Sequence, residues 1–396
     1  MTPFRPGNIV LSRNFLTILL AILVFFGVVG MIASVIGVWQ GRNRALEVQK
    51  NQAQEEINRL IGVITRITNE DQYVRNDRLQ DELTNIQKTY RQATIVYEEL
   101  VDLRALTRDT RVLDERFAHI LGKLAERQWA TASADIILLT GDIAAAKAKI
   151  AASFAIPANV PENNTAPQTG YRRQVVKLDI GEYLVDIVAA DMNSTRVIVD
   201  TASEATCTRD CPVLSLGEYV ARNNAFAGIN GSYFCPADYP SCSEKKNSFD
   251  TLLMNKNKVY FNSDNNVYST VPAVIFLSGS MRFVGRSLEW GRDTSPDGVL
   301  ANQPLLLSGG SVTFGGDTDP KKGSKGTRGF VGNKGSVAYI GVVHNATVVE
   351  VAHVLKTMGL ENGLNLDSGG STALWSGGYK AGPGRGIPNA ILFVRK

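Results

Sequence analysis

From Phe15 to Trp39 the chain is almost wholly apolar and carries no charge. A helix of roughly 20 such residues crosses the hydrocarbon core of a bilayer. A cleavable signal sequence is the rival, but its apolar part spans about 7–15 residues and ends in a small-x-small site. This run is longer and ends in Val38-Trp39-Gln40, with Trp39 suited to a membrane interface. The pattern predicts an uncleaved transmembrane helix over 15–39, a tail over 1–14, and a lipid bilayer as one partner of the chain.

Flanking charge leaves the orientation nearly tied: Arg5 and Arg13 precede the span, and Arg42, Arg44 and Lys50 follow it. The cysteines break the tie. All four lie after the span, as two close pairs, Cys207/Cys211 and Cys235/Cys242. Even, clustered cysteines on a module outside the cytoplasm read as disulfides. Zinc is the alternative, but the two spacings do not match a usual zinc knuckle on both sides. The expected topology is single-pass, with the N-terminus cytoplasmic and the C-terminal domain extracytoplasmic, periplasmic or extracellular.

After the span the composition turns to Glu, Gln, Arg and Lys with regular apolar positions over 45–155. Ile57, Leu60, Ile64 and Ile67 recur at steps of three and four. So do Leu79, Leu83, Ile86, Tyr90, Ala93, Tyr97 and Leu100, then Leu113, Phe117, Ile120 and Leu124. This is the seam of helices packed as a coiled coil or bundle. The phase slips near 69–76 and 107–111, where a continuous helix would stutter or the chain would fold back as hairpins. The seam suits a homo-oligomer as well as a bundle that only buries its own stripe. His119, beside Phe117 and Ile120, reads as packing or solvated. Residues 156–170 hold three prolines among polar residues and read as a linker.

From Tyr171 to Lys396 short β-like runs alternate with Asn, Asp and Gly turns: 183–188, 196–199, 226–229, 271–277, 337–343, 364–366 and 391–394. One clear helix is predicted over 347–358, capped by Asn345 or Thr347. The fold class is therefore α+β: an N-terminal transmembrane helix, a helical stalk, and a mixed-sheet C-terminal module. A net charge of +4 is small for 396 residues and argues against a nucleic-acid partner.

Chemistry-bearing groups of this module collect at the ends of its β-like runs. In Leu364-Asn365-Leu366-Asp367-Ser368-Gly369-Gly370-Ser371-Thr372 an apolar strand delivers Asp367 to a glycine-rich turn, whose backbone N–H groups can cradle an anion. Asn230-Gly231-Ser232-Tyr233-Phe234 ends a strand with an amide and an aromatic pair, which suits a sugar ring. The basic stretch from Lys321 to Gly329 suits an anion, with Arg328 beside the strand-like Phe330-Val331-Gly332 the residue best placed to be held. Glu350 lies in the first turn of the helix, where the helix dipole favours a carboxylate for structural reasons as well. Arg385 precedes Ile387-Pro388-Asn389-Ala390. No Ser-His-Asp set, nucleotide loop or dinucleotide fingerprint is present. No cofactor is implied, and a divalent metal is left open.

The order of these segments resembles the phosphodiester glycosidase family over Tyr171–Lys396. By that resemblance Asp367, Glu350 and Arg328 are catalytic candidates. Asn230, Gly231, Tyr233, Asn365, Gly369, Gly370, Ser371 and Arg385 are substrate-binding candidates. The sequence departs from the family pattern at Ser368, at Ser232-Tyr233 and at Gly329-Phe330, which bears on the substrate more than on the reaction class. The implied activity is hydrolysis of a sugar-1-phosphodiester, with a phosphorylated glycan as partner. A non-catalytic envelope protein that binds anionic glycans is the alternative, since binding and catalysis share every motif.

Overall fold

The computed structural model describes residues 13–264 and 269–396. Most of the tail expected over 1–14 lies outside the described residues. Residues up to Asn85 and those from Ile86 onward form two compact units.

In the first unit, α1 (Arg13–Thr68) is one continuous helix. It holds an apolar stretch long enough to cross a membrane, with a mean hydropathy of 2.6, a test that a signal sequence at the N-terminus also meets. Phe25, Phe26, Met31 and Trp39 are all exposed. The seam expected at Ile57, Leu60, Ile64 and Ile67 is exposed too.

The helix breaks at Asn69-Glu70, and α2 (Asp71–Arg104) follows. In the second unit, α2 from residue 86, α3 (Arg111–Ala125) and α4 (Trp129–Ala152) bury one another's apolar stripes. Leu100, Leu103, Ile120, Ile136 and Leu139 form the centre of this bundle. The phase slip at 107–111 is thus a fold-back, closed by an ion pair between Arg104 and Asp114 at 2.6 Å. The proline-containing segment after α4 is not a free tether. Asn163 N donates to Val175 O at 2.9 Å, and Ala166, buried, donates its N–H to Met358 O. Prolines deny this segment a helix, and Asn163, Asn164 and Ala166 bond to the module instead.

The module contains three sheets among the described residues. The first has the order β1 (Gly170–Leu178), β2 (Gly181–Asp191), β13 (Val337–Ala346), β12 (Gly326–Lys334), β14 (Asn362–Asn365), β10 (Leu305–Ser308) and β11 (Ser311–Val312). The second has β16 (Tyr379–Ala381), β15 (Leu374–Ser376), β4 (Ala227–Asn230), β17 (Asn389–Arg395) and β3 (Thr195–Thr201). The third has β6 (Tyr260–Phe261), β5 (Leu253–Met254), β9 (Gly298–Ala301), β7 (Ala273–Leu277) and β8 (Ser280–Val284).

Val188, Ile340 and Val342 from the first sheet, Val199, Ile229 and Ile391 from the second, and Val274 and Phe276 from the third share one core. The period-2 alternation of strands turns the other residues of β2 outward to a second core. There Val185 and Ile187 meet Val348, Val351 and Leu355 of α7 (Val348–Thr357). A short helix, α5 (Leu216–Arg222), covers the far face of the second sheet. The α+β class holds. One local expectation changes: Gly326–Gly329, read as the end of a basic loop, is the start of β12. Its glycines lower β propensity, but pairing with β13 overrides that. The rest of the stretch is the short helix α6 (Pro320–Gly323) and the two residues that join it to β12.

Both cysteine pairs are bonded, Cys207 to Cys211 and Cys235 to Cys242. Disulfides of this kind persist in oxidising compartments.

Candidate active site

The site is built where the chain passes from the first sheet to the second. After β14, Leu366 N donates to Gly329 O of β12 at 3.0 Å. The next residue, Asp367, donates its N–H to Gly231 O, just past β4, also at 3.0 Å. Two successive peptide groups therefore tie one sheet to the other. Asn230 reinforces the tie. Its Nδ2 donates to Asp367 O at 2.8 Å, and its Oδ1 accepts from Ala373 N at 3.0 Å. Asn230 is fully buried, so its side chain holds the turn in place.

Gly231 is needed for a different reason: a Cβ there would collide with the amide of Asn389. That amide accepts from Ser232 N at 2.9 Å and donates to Ser232 Oγ at 3.0 Å. Asn389 thus locks the start of β17 to the strand end that carries Tyr233. The Tyr233 hydroxyl accepts from Asn365 Nδ2 at 2.6 Å, and Tyr233 N donates to Asn302 Oδ1 at 3.0 Å. Asn365 also donates to Gln303 O at 3.0 Å, while its buried Oδ1 accepts nothing among the described residues.

Asp367 itself is half-buried. Its Oδ1 accepts from Ser368 N at 2.8 Å, and the buried Ser371 side chain hydrogen-bonds to it. Burial disfavours the charged form and is the dominant influence. The bonds from Ser371 and Ser368 and the charge of Arg385 oppose it, and the charge of Asp102 adds to it, so the carboxyl is raised to about 6. Arg385 is fixed through its backbone, N donating to Gly370 O at 2.8 Å. Its guanidinium lies against Gly370 so closely that any Cβ there would strike it. Gly369, exposed, opens the short 3₁₀ turn Gly369–Ser371 that connects these groups.

Arg328 is buried near the start of β12. Its Nε donates to Ala346 O at 3.1 Å, and its Nη2 donates to Lys321 O and Ser324 O, each at 2.6 Å. Burial pulls its pKa down while the charges of Tyr233, Asp319 and Asp367 push it up. A guanidinium stays cationic under such shifts, so Arg328 is a fixed positive charge acting on Asp367 and Tyr233.

Residues 223–394 match the family described as phosphodiester glycosidase. Those residues of the C-terminal module make up a domain of that family. No curated protein matches the chain. Among solved structures, a hypothetical protein from Synechocystis superposes with a TM-score of 0.40 at 13% identity, over 57% of this chain and 62% of that one. The chain thus spans less than two thirds of that protein. The catalytic domain of zebrafish N-acetylglucosamine-1-phosphodiester alpha-N-acetylglucosaminidase, auto-inhibited by its pro-peptide, gives 0.45 at 16% identity, over 60% of this chain and 87% of that one. Both likenesses are too distant to bear on individual residues.

Within the glycosidase domain Glu350 occupies a different environment from Asp367. It is the third residue of α7 and closes a capping box with Thr347: Thr347 N donates to Glu350 Oε2 at 2.7 Å, and Glu350 N donates to Thr347 Oγ1 at 3.2 Å. Lys325 pairs with its other oxygen, and the Tyr183 hydroxyl bonds to it. Burial pushes the carboxyl up, but Lys325, Thr347 and Tyr183 outweigh it and leave it below its ordinary value. The described residues contain no cluster of three metal-ligating side chains. Reading the sequence singled out neither Asn302 nor Asn389 as a site residue, although Asn389 stood within the Pro388-Asn389-Ala390 motif.

Proposed function

We propose that the chain is a membrane-anchored, extracytoplasmic hydrolase of sugar-1-phosphodiester bonds in envelope or exopolysaccharide glycans. The observation that carries this reading is Asp367: a half-buried carboxyl raised to about 6, beside Arg385 and under the charge of Arg328, in a domain of the phosphodiester glycosidase family.

If the anomeric C–O bond breaks, the leaving group is a phosphate ester that needs little protonation. What it needs is positive charge, which Arg385 and Arg328 are placed to supply. The Gly369–Ser371 turn next to Arg385 suits the phosphoryl oxygens. Above pH 6 Asp367 is mostly ionised and is suited to activating water or to steadying an oxocarbenium-like carbon. Tyr233, held through its hydroxyl by Asn365, offers a ring face for the sugar. α1 supplies the anchor, and its exposed Ile57, Leu60, Ile64 and Ile67 stripe, with the exposed Leu79 and Leu83 of α2, is open to self-association.

The test is turnover of a panel of sugar-1-phosphodiesters by the full chain in detergent, run in water labelled with oxygen-18. The label should enter the sugar. Label on phosphate would recast the domain as a phosphodiesterase. Tight binding without turnover would favour the non-catalytic glycan-binding alternative.

A further inference from the structure

The helices before the module read from sequence as a stalk, apart from the chemistry. One of them reaches the site. Asp102, near the end of α2, accepts the hydroxyl of Tyr239 and pairs with Lys321 at 3.5 Å. One turn earlier on the same face, Glu98 Oε1 accepts from Ser241 N at 3.0 Å. Tyr239 and Ser241 both lie in the loop closed by the Cys235–Cys242 disulfide. The Tyr239 ring in turn carries two cations, Lys321 Nζ at 4.7 Å and the Arg385 guanidinium at 5.5 Å from its centroid. Arg385 is the residue that lies against Gly370 in the Asp367 turn. A chain of direct contacts thus runs from α2 through Tyr239 to Arg385.

The bundle is held firmly enough to transmit this. Leu100 and Leu103, on either side of Asp102, are fully buried in its core. The far end of α4 is fastened to β13, where Asn345 Nδ2 donates to Ala151 O at 2.9 Å and Phe154 stacks on His344.

We propose that Asp102 is a positioning residue of the glycosidase site: through Tyr239 it sets the Arg385 guanidinium and the Lys321 ammonium along the wall that receives the substrate's phosphate, so the helical bundle is part of the enzyme. The proposal rests on the glycosidase reading of the Asp367 site. It has an electrostatic consequence. The groups that act most on Asp367 are Asp102 from α2, Arg385 from the following loop, and Ser368 and Ser371 from its own turn, and the Arg328 charge of β12 faces it as well. Tyr233, Tyr239 and Arg328 feel its charge in return. Asp102 is the negative member of this set, and removing it lowers the pKa of Asp367.

The experiment compares the full chain in detergent with Asp102→Ala, Asp102→Asn and Tyr239→Phe, and with the exposed Glu115→Gln of α3 as control. Misplacing a binding group by about 1 Å can cost up to about a hundredfold. Asp102→Ala should lower kcat/KM on a sugar-1-phosphodiester about tenfold and move the acid limb of its pH profile to lower pH. Asp102→Asn keeps an acceptor for Tyr239, so it should recover part of the rate while the limb stays displaced. Tyr239→Phe, which keeps Asp102's charge, should slow turnover with the limb in place, and Glu115→Gln should match the wild type. Wild-type kcat/KM and an unmoved limb in Asp102→Ala overturn the proposal. If the wild type turns over none of the substrates, the glycosidase reading fails by itself. The contact is then decided by hydrogen exchange over 235–242: faster exchange in Asp102→Ala upholds it, and unchanged exchange overturns it.

Discussion

Glu350 and Asp367 are carboxylates of similar sequence promise and opposite circumstance. Each lies two residues from a terminus of an element of regular structure, and each sits among basic residues. Glu350 is surrounded by donors: its own helix's capping threonine, Lys325 and Tyr183. Asp367 has two short hydroxyl and amide partners, a neighbouring arginine and a neighbouring aspartate, and burial prevails. The same side-chain chemistry is thus pushed in opposite directions. A carboxyl whose donors outweigh its burial is a structural anion. One whose burial outweighs its donors changes protonation near neutral pH and is suited to acid–base work.

This contrast can be broken most directly by rate. Asp367→Asn keeps the shape and removes the charge, and should reduce turnover by about a hundred- to ten-thousandfold. Glu350→Gln should leave kcat within a few-fold of the wild type. Comparable losses for both would erase the distinction. Stability should separate them the other way. Glu350→Ala removes half of a capping box and should cost about 1 kcal/mol in urea unfolding. A Glu350→Ala chain as stable as the wild type would show that Lys325 and Tyr183 do not need it.

A further contrast lies in pH. Asp367 has a folded-state pKa raised from 3.8 to about 6, so its ionisation costs stability as pH rises through that window. Asp367→Asn should therefore raise Tm relative to the wild type at pH 8 by a few degrees and leave it unchanged at pH 3. A constant difference at both pH values would mean that the carboxyl is not raised.

What could be read from sequence was what is local. The Asp367 turn announces itself because an apolar strand, an acid and two glycines are contiguous. The cysteine pairs were legible for the same reason. The helix cap at Thr347 follows from Thr-x-x-Glu before an apolar face. Long-range partners left no such trace. Arg328 stands out as a charge, but its bonds to Lys321 O, Ser324 O and Ala346 O depend on how α6 and β13 flank β12. Asn389 reaches Ser232 across 157 residues, and Asp102 reaches Tyr239 across 137. Asp102 is one acid among many on an amphipathic helix, and periodicity there speaks only of the buried stripe. Leu100 is expected in that stripe, but nothing in the spacing marks Asp102 two residues on.

The peptide step from Leu366 to Asp367 acts like a rivet through two plates. The carboxylate is located by main-chain bonds to both sheets and by no mobile loop of its own. Any shearing of one sheet against the other is therefore felt directly as displacement of the Asp367 carboxylate. Substitutions in the shared core that do not touch the carboxylate, at Val274 or Phe276 of the third sheet for instance, should register in the temperature dependence of turnover before they register in the melting of the domain.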